Sequence, residues 1–338
     1  MEKETRRITI DQVAEALGVS KTTVSRAISG KGRIGAATRQ RVLDYIEKCD
    51  YKPNIIARGL AQSKTFNICV VMPEDYHLSD LSFFQRALVG IQQFAGEMDY
   101  DILLCIGKEE ECTGLARILT NRKVDGVILL RTYRKDRQIE LLQGEGIPFV
   151  AVGDTDYKGV YQVDHDQRTA CRELTKHLLS RDSADVALLG GRESLMITRT
   201  RLEGFCDACR ECGREVPEEL ICLNLESRQA VDLIVENVLN KKVRGMICMD
   251  DVICNWALQK LRQERRKIPR DVWIASFYNS WVLENSDPSV TALSFDAREL
   301  GKEACRKLFC LMDQDEVPQR TILPYRMVLR ESTGDIFR

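Results

Sequence analysis

Apolar residues recur at two periods along this chain, and the period changes near residue 65. In the first stretch Ile10, Val13, Ala14 and Leu17 stand at helical spacing. Thr9 and Gln12, at the head of that run, have the spacing of a capping box, in which hydroxyl and amide satisfy two orphan backbone donors. Gly18 closes the run where a positive φ is tolerated. Ser20 then caps a second predicted helix, with Val24, Ala27 and Ile28 inward and Lys21, Thr22, Ser25 and Arg26 on the opposite face. A third helix is predicted from about Ala37 to Lys48, with Val42, Leu43 and Ile46 closing a small core. Two short helices joined by a tight turn suit a helix-turn-helix, whose second helix enters the major groove of DNA.

From Phe66 onward the pattern becomes short apolar runs alternating with amphipathic stretches, as in parallel sheets flanked by helices. Buried strands are expected in ICVVM at Ile68, DILLCI at Asp101, VDGVILL at Val124, IPFVAV at Ile147, DVALLGG at Asp185, LICLNL at Leu220, VRGMICM at Val243 and DVWIASF at Asp271. Helices are expected over Phe84 to Gly96, Thr169 to Leu179, Thr200 to Cys212 and Val231 to Leu239. The fold class is therefore α/β, a three-helix head followed by two doubly wound lobes. In such sheets ligands bind beyond the carboxyl ends of the strands, and a cleft between two lobes joins two such sites.

Charge sharpens the division. Residues 1–64 carry 13 Lys and Arg against 7 Asp and Glu, a net +6, and the remainder carries 37 against 44, a net −7. A basic head on an acidic body is expected when one module meets phosphate and the other does not. The overall charge of −1 hides that asymmetry.

The head string and the segment YKPNIIARGLAQSK at Tyr51 resemble the lactose-repressor (LacI/GalR) family of bacterial transcriptional regulators. Family heads carry D-V-A-x-x-x-G-V-S-x-x-T-V-S-R, matched by Asp11 to Arg26 with Gln12 at a variable place. Family hinges carry Y-x-P-N-x-x-A-x-x-L, matched by Tyr51, Pro53, Asn54, Ala57 and Leu60. The resemblance covers the whole chain. It implies a DNA-binding head over 1–52, a hinge helix and linker over 53–64, and a periplasmic-binding-protein-like core over 65–338. The N-lobe would comprise about 65–164 and 293–320, the C-lobe about 165–292 and 321–338. It places Lys21, Thr22, Ser25 and Arg26 over base edges, puts Ser29 where Asn is usual, and makes Leu60 a wedge in the minor groove. Homodimers on a near-palindromic operator and a small polar effector, a sugar or sugar derivative, are implied as partners.

Matching motifs place the effector cleft. Leu81-Ser82-Phe83-Phe84 follows the first strand, and its rings are ligand walls or core. Arg201 opens an R-x-x-G-F run, and Asp251 matches a ligand-binding Asp in a pair after a C-lobe strand. A forked donor and an acceptor-only carboxylate suit a polyhydroxylated ligand. Arg131, just past VDGVILL, reads as a pocket cation or a surface one. Trp256, Trp281 and Phe295 offer faces for stacking or for packing. Ser276-Phe277-Tyr278-Asn279 departs from the family's G-[FY]-D-D, and a common Gln is replaced near Phe295, so ligand identity does not transfer.

The 13 cysteines include Cys206, Cys209 and Cys212, with Cys222 beyond. Metal-binding thiolates usually converge from a loop. Here the spacing lies in a predicted helix, which favours structural thiols over metal or redox use. His77, His165 and His177 show no metal-ligand spacing or nucleophile elbow, and there is no phosphate loop. An enzyme, a metal site and a cofactor are accordingly not expected. A solute-binding protein or enzyme on the same core is the alternative, but it leaves the basic head unexplained. MEKETRRITI has no apolar signal region and no run suits a membrane span, which points to a soluble, cytoplasmic protein. The chain stops at Arg338 with no heptad segment, so a dimer rather than a tetramer is expected.

Overall fold

The computed structural model describes residues 8–29, 32–49, 51, 59, 62–74, 81–180, 185–241 and 243–337. The chain divides into two compact units, Met1–Thr65 and Phe66–Arg338.

In the first unit α1 (Ile10–Leu17) begins at the predicted capping box. Thr9 Oγ1 accepts from the Gln12 N–H, and Gln12 Oε1 accepts from the Thr9 N–H at 2.9 Å. Gly18 ends it at φ +63°. Helix α2 (Lys21–Ser29) is capped by Ser20 Oγ, which accepts from the Thr23 N–H at 3.1 Å. Helix α3 (Ala36–Lys48) closes the bundle. Val13, Ala14, Val24, Ala27, Val42 and Tyr51 are buried together, and Leu43 is half-buried. Arg39 ties α3 to α2 by donating to the Ala27 carbonyl at 3.3 Å.

The second unit holds two six-stranded sheets. The first comprises β1 (Asn67–Pro73), β2 (Asp101–Gly107), β3 (Gly126–Leu129), β4 (Phe149–Val152), β5 (Tyr161–His165) and β11 (Arg320–Leu323), ordered β11-β5-β4-β3-β1-β2 and parallel throughout. The second comprises β6 (Val186–Leu189), β7 (Ile221–Cys222), β8 (Gly245–Cys248), β9 (Trp273–Ser276), β10 (Thr291–Phe295) and β12 (Tyr325–Val328), ordered β12-β10-β9-β8-β6-β7. Only β12 runs antiparallel.

The central strands of each sheet are covered on both faces, as their unbroken apolar runs require. Along β1, Ile68, Val70 and Met72 face the core under α4 (Leu81–Glu97) and α12 (Ala297–Met312). Cys69 and Val71 face α5 (Thr113–Thr120) and α6 (Arg137–Glu145). In the second lobe α7 (Gln167–Leu179) and α8 (Met196–Glu211) cover one face, and α9 (Arg228–Asn240) with α10 (Asp251–Gln263) the other. A four-residue α11 (Trp281–Glu284) follows β9.

Three chain segments cross between the sheets, and they lie one to three residues beyond the boundaries expected from sequence. β5 runs through His165 in the first sheet, β10 through Phe295 in the second, and β11 through Leu323 in the first. The segment 293–295, expected in the N-lobe, is therefore C-lobe strand, and 321–323, expected in the C-lobe, is N-lobe strand. The reason is that YQVDH, TALSF and RTIL read as strands whichever sheet they join, so local pattern does not mark the switch. Among the described residues no helix is long and apolar enough to cross a membrane.

Candidate functional site

On α2, Val24 and Ala27 turn into the core while Lys21, Thr22, Ser25 and Arg26 stand exposed. One turn-and-a-half of helix thus presents two cations and two hydroxyls on one solvent face. The Lys21 ammonium pairs with Asp11 of α1, and both partners are more than half exposed. Such a surface pair is worth little and yields readily to a better acceptor. Ser29 ends α2, and its side chain lies outside the described residues, as do Asn54, Ala57 and Leu60 and with them the expected hinge helix.

Within the second unit a cleft opens between the two lobes, with about 1030 Å³ of non-protein space counting its solvent-filled mouth. Its walls are the residues just past the carboxyl ends of parallel strands, where the backbone leaves each sheet and side chains from several strands converge. From the first lobe come Phe83 and Phe84 on the opening turn of α4, Arg131 after β3, Asp154 after β4 and Asp164 on β5. From the second come Gln167 and Arg201 on α7 and α8, Asp250 and Asp251 at the start of α10, Tyr278 after β9 and Phe295 at the end of β10.

Arg201 is only 8 % exposed, and it is held rigidly. Its Nε donates to Gln167 Oε1 at 3.2 Å and its Nη1 to the Met249 carbonyl. The Asp250-Asp251 pair divides its labour: Asp250 Oδ1 accepts the Ile253 N–H at 2.8 Å as the cap of α10, while buried Asp251 sits in the first turn, where the positive end of the helix favours an anion. Phe83 meets Phe84 edge-on at 5.2 Å and Tyr278 of the other lobe edge-on at 6.0 Å. Tyr278 in turn lies nearly parallel to Phe295, their rings 6.4 Å apart. Arg131 rests over the Phe84 ring at 5.2 Å, so it is a cleft cation and not a surface one.

Phe83, Phe84, Arg131, Arg201 and Asp251 are thus brought together, whereas Trp256 is not. Trp256 lies on α10 half-buried against the outer core of the second lobe, away from the cleft. Its place one turn and a half past Asp251 turns it to another face of the helix. Trp281 is 74 % exposed on α11 and also stands apart. Asp154, in the connection after β4, and Asp164 and Gln167, at the first crossover, are cleft residues that no distinctive motif marks in the sequence. Tyr278 was visible only as a departure.

Asp164 is the most perturbed of these groups. Burial pushes its carboxyl up to about 7, opposed by the His165 N–H that donates to Oδ1 at 2.8 Å and reinforced by Asp154, while Arg320 and Arg201 pull it down. The adjoining His165 ring is kept neutral by burial, and its Nδ1 lies 3.0 Å from the Pro324 carbonyl, where it donates. That bond ties one crossover to another.

The cleft is flanked by direct contacts between the lobes. Tyr133 and Leu195 form an antiparallel bridge, Arg134 N–H donates to the Ser194 carbonyl at 2.9 Å, and Ser194 Oγ donates to Glu109 at 2.9 Å. Arg199 forks onto both oxygens of Asp156. Elsewhere, Cys206 and Cys209 lie on α8 and Cys212 caps it; burial pushes Cys209 up to about 12 and raises Cys206 as well, so both stay thiols. Cys209 is buried, and Cys212 is half-buried against the same core.

The family model described as bacterial regulatory proteins, lacI family, matches residues 9–54. That for periplasmic binding proteins and the sugar binding domain of the LacI family matches 65–331. The transcriptional regulator RegA of Clostridium saccharobutylicum is 29 % identical, over 96 % of this chain and 98 % of its own. CelR of Thermobifida fusca is 28 % identical, over 97 % and 98 %. A solved CelR–cellobiose complex superimposes with a TM-score of 0.71 at 26 % identity, covering 96 % of this chain and all of that one. The lac repressor dimer bound to operator and an anti-inducer gives 0.79 over 97 % and 99 %, at 20 % identity, a likeness of fold.

Proposed function

The chain belongs to the LacI family of bacterial regulatory proteins, which are transcriptional regulators and not enzymes, and on that premise we propose that it acts as a homodimeric repressor. Two heads read a near-palindromic operator, and a small polar effector, a sugar or sugar derivative, binds the interlobe cleft and sets the repressor's affinity for DNA. Dimer symmetry then mirrors operator symmetry. The observation that carries this reading is the cleft itself: a buried guanidinium and a buried carboxylate from one lobe face aromatic rings from the other. Such a site grips a polyhydroxylated ring by its edge and its face. That the CelR structure is a cellobiose complex supports a carbohydrate as the class.

Because the walls come from both lobes, a ligand there favours one lobe arrangement over another. In this proposal the spacing of the two hinge segments changes with it, and so does their ability to order in the minor groove. The test is duplex binding by the full chain. Affinity should fall steeply with salt, as expected when cations displace condensed counterions, and should change on adding a neutral sugar. Salt-dependent binding that no sugar alters would reject the effector, and binding without sequence preference would reject the operator.

A further inference from the structure

Resting on the reading of the cleft as an effector site, one buried carboxyl in its wall keeps an oxygen that no protein donor among the described residues meets. Asp164 is 4 % exposed and lines the cleft wall. Its Oδ1 accepts the His165 N–H at 2.8 Å, and among the described residues no donor reaches Oδ2. Polar groups of buried residues are normally satisfied by protein or water, and a carboxyl oxygen left to face a cavity is a place where a ligand supplies the bond. The surroundings restrict which ligand. Four carboxyl groups line the cleft, Asp154, Asp164, Asp250 and Asp251, against two guanidiniums, Arg131 and Arg201. Arg201 already gives two of its donors to Gln167 and Met249. An incoming phosphate or carboxylate would therefore meet more like charge than opposite charge in a poorly hydrated space.

We propose that Asp164 is a further effector contact, its Oδ2 accepting a hydroxyl hydrogen from an uncharged polyhydroxylated ligand, and that the cleft selects against sugar phosphates and sugar acids. The groups facing this carboxyl are Asp154 from the segment after β4, Arg320 from β11, Arg201 from α8 and the adjacent His165. Since the carboxyl titrates near neutrality, a ligand that donates to it favours the ionised form. Ligand affinity then rises as pH is raised from 6 to 8.

The experiment uses the full chain and a panel of neutral mono- and disaccharides, cellobiose among them, with the matching sugar phosphates and uronic acids. Thermal stabilisation identifies binders, and calorimetry at pH 6 and pH 8 gives affinities for the parent and for Asp164→Asn. In that variant the amide oxygen keeps the His165 N–H, so a donor replaces the acceptor facing the cleft. At pH 8 a neutral sugar should bind the variant about ten- to a hundredfold more weakly, and its rise in affinity between the two pH values should vanish. Parent affinity and parent pH dependence in the variant would overturn the contact. An anionic sugar binding more tightly than its neutral counterpart would overturn the selectivity. Should the variant fail to fold, the parent decides alone, because an affinity that does not rise between pH 6 and 8 rejects the contact. If no sugar of either charge stabilises the parent, the effector reading falls and takes this inference with it. An unaffected Asp164→Asn variant, by contrast, leaves that reading standing.

Discussion

At the scale of single residues the two sites use charge in opposite surroundings. Arg26 is exposed on α2, free to reach a base edge in a groove of high dielectric. If it donates to guanine, Arg26→Ala should cost about 1–3 kcal/mol on the operator and much less on random duplex, measured by competition binding. Equal losses on both would make it a phosphate contact. Asp164 is the buried counterpart. Its folded carboxyl titrates near 7, above the ordinary value of 3.8, so the folded state holds the proton more tightly than the unfolded chain. Stability is then fullest below about pH 4 as far as this group is concerned, and is lost as pH rises through 7. Melting temperatures of Asp164→Asn and parent should diverge upward in the variant's favour between pH 5 and pH 8; parallel curves would show that the carboxyl does not titrate in that range.

Elements are fixed by contacts that leave little room. Helices α4 and α12 cross on glycines: a Cβ on Gly301 would lie 2.0 Å from the Ala87 carbonyl oxygen, and one on Gly90 would lie 1.9 Å from that of Arg298. Backbone cannot retreat from such a contact as a flexible side chain can. Gly301→Ala should therefore destabilise by about 1–3 kcal/mol through overpacking. Gly96, also on α4, faces open space. Gly96→Ala should instead be neutral or stabilising by up to about 1 kcal/mol, from helix propensity alone. Urea midpoints of the two variants test the contrast, and equal shifts would mean the helices separate to absorb the methyl. The crossing matters beyond α4 and α12, because α4 carries Phe83 and Phe84 to the cleft.

For the molecule as a whole, the proposed allosteric repression would show itself as loss of response without loss of the resting state. If Asp251 grips the effector, Asp251→Ala should stay on its operator at sugar concentrations that release the parent, since coupling of about 1–3 kcal/mol between sites is reciprocal. Melts of variant and parent without ligand must agree for the comparison to hold. A response with the parent's midpoint would remove Asp251 from the site. The contacts of Arg199 with Asp156 and of Ser194 with Glu109 bear on the same equilibrium, since they join the lobes at the cleft's margin.

The sequence by itself determined the head, the alternation of the core and the family, because each rests on local pattern. A capping box, a glycine after a helix and the 3.6-residue period need only a few neighbouring residues to be recognised, and Thr9, Gly18, Val24 and Ala27 behave in the structure as their spacing says. The run R-x-x-G-F placed Arg201, and the paired carboxylates placed Asp251, in the cleft wall. Only tertiary structure decided the rest. Trp256 and Phe295 are alike as aromatics in apolar segments, yet one packs on the outer core and the other walls the cleft, because helix phase and strand end set where each points. Asp164 carries no motif; what singles it out is the burial of its carboxyl and the company of Asp154, Arg320 and Arg201. Those neighbours lie ten, 156 and 37 residues away in the chain; the pairing of β4 with β5 brings Asp154 close, and the crossings between the sheets bring Arg320 and Arg201.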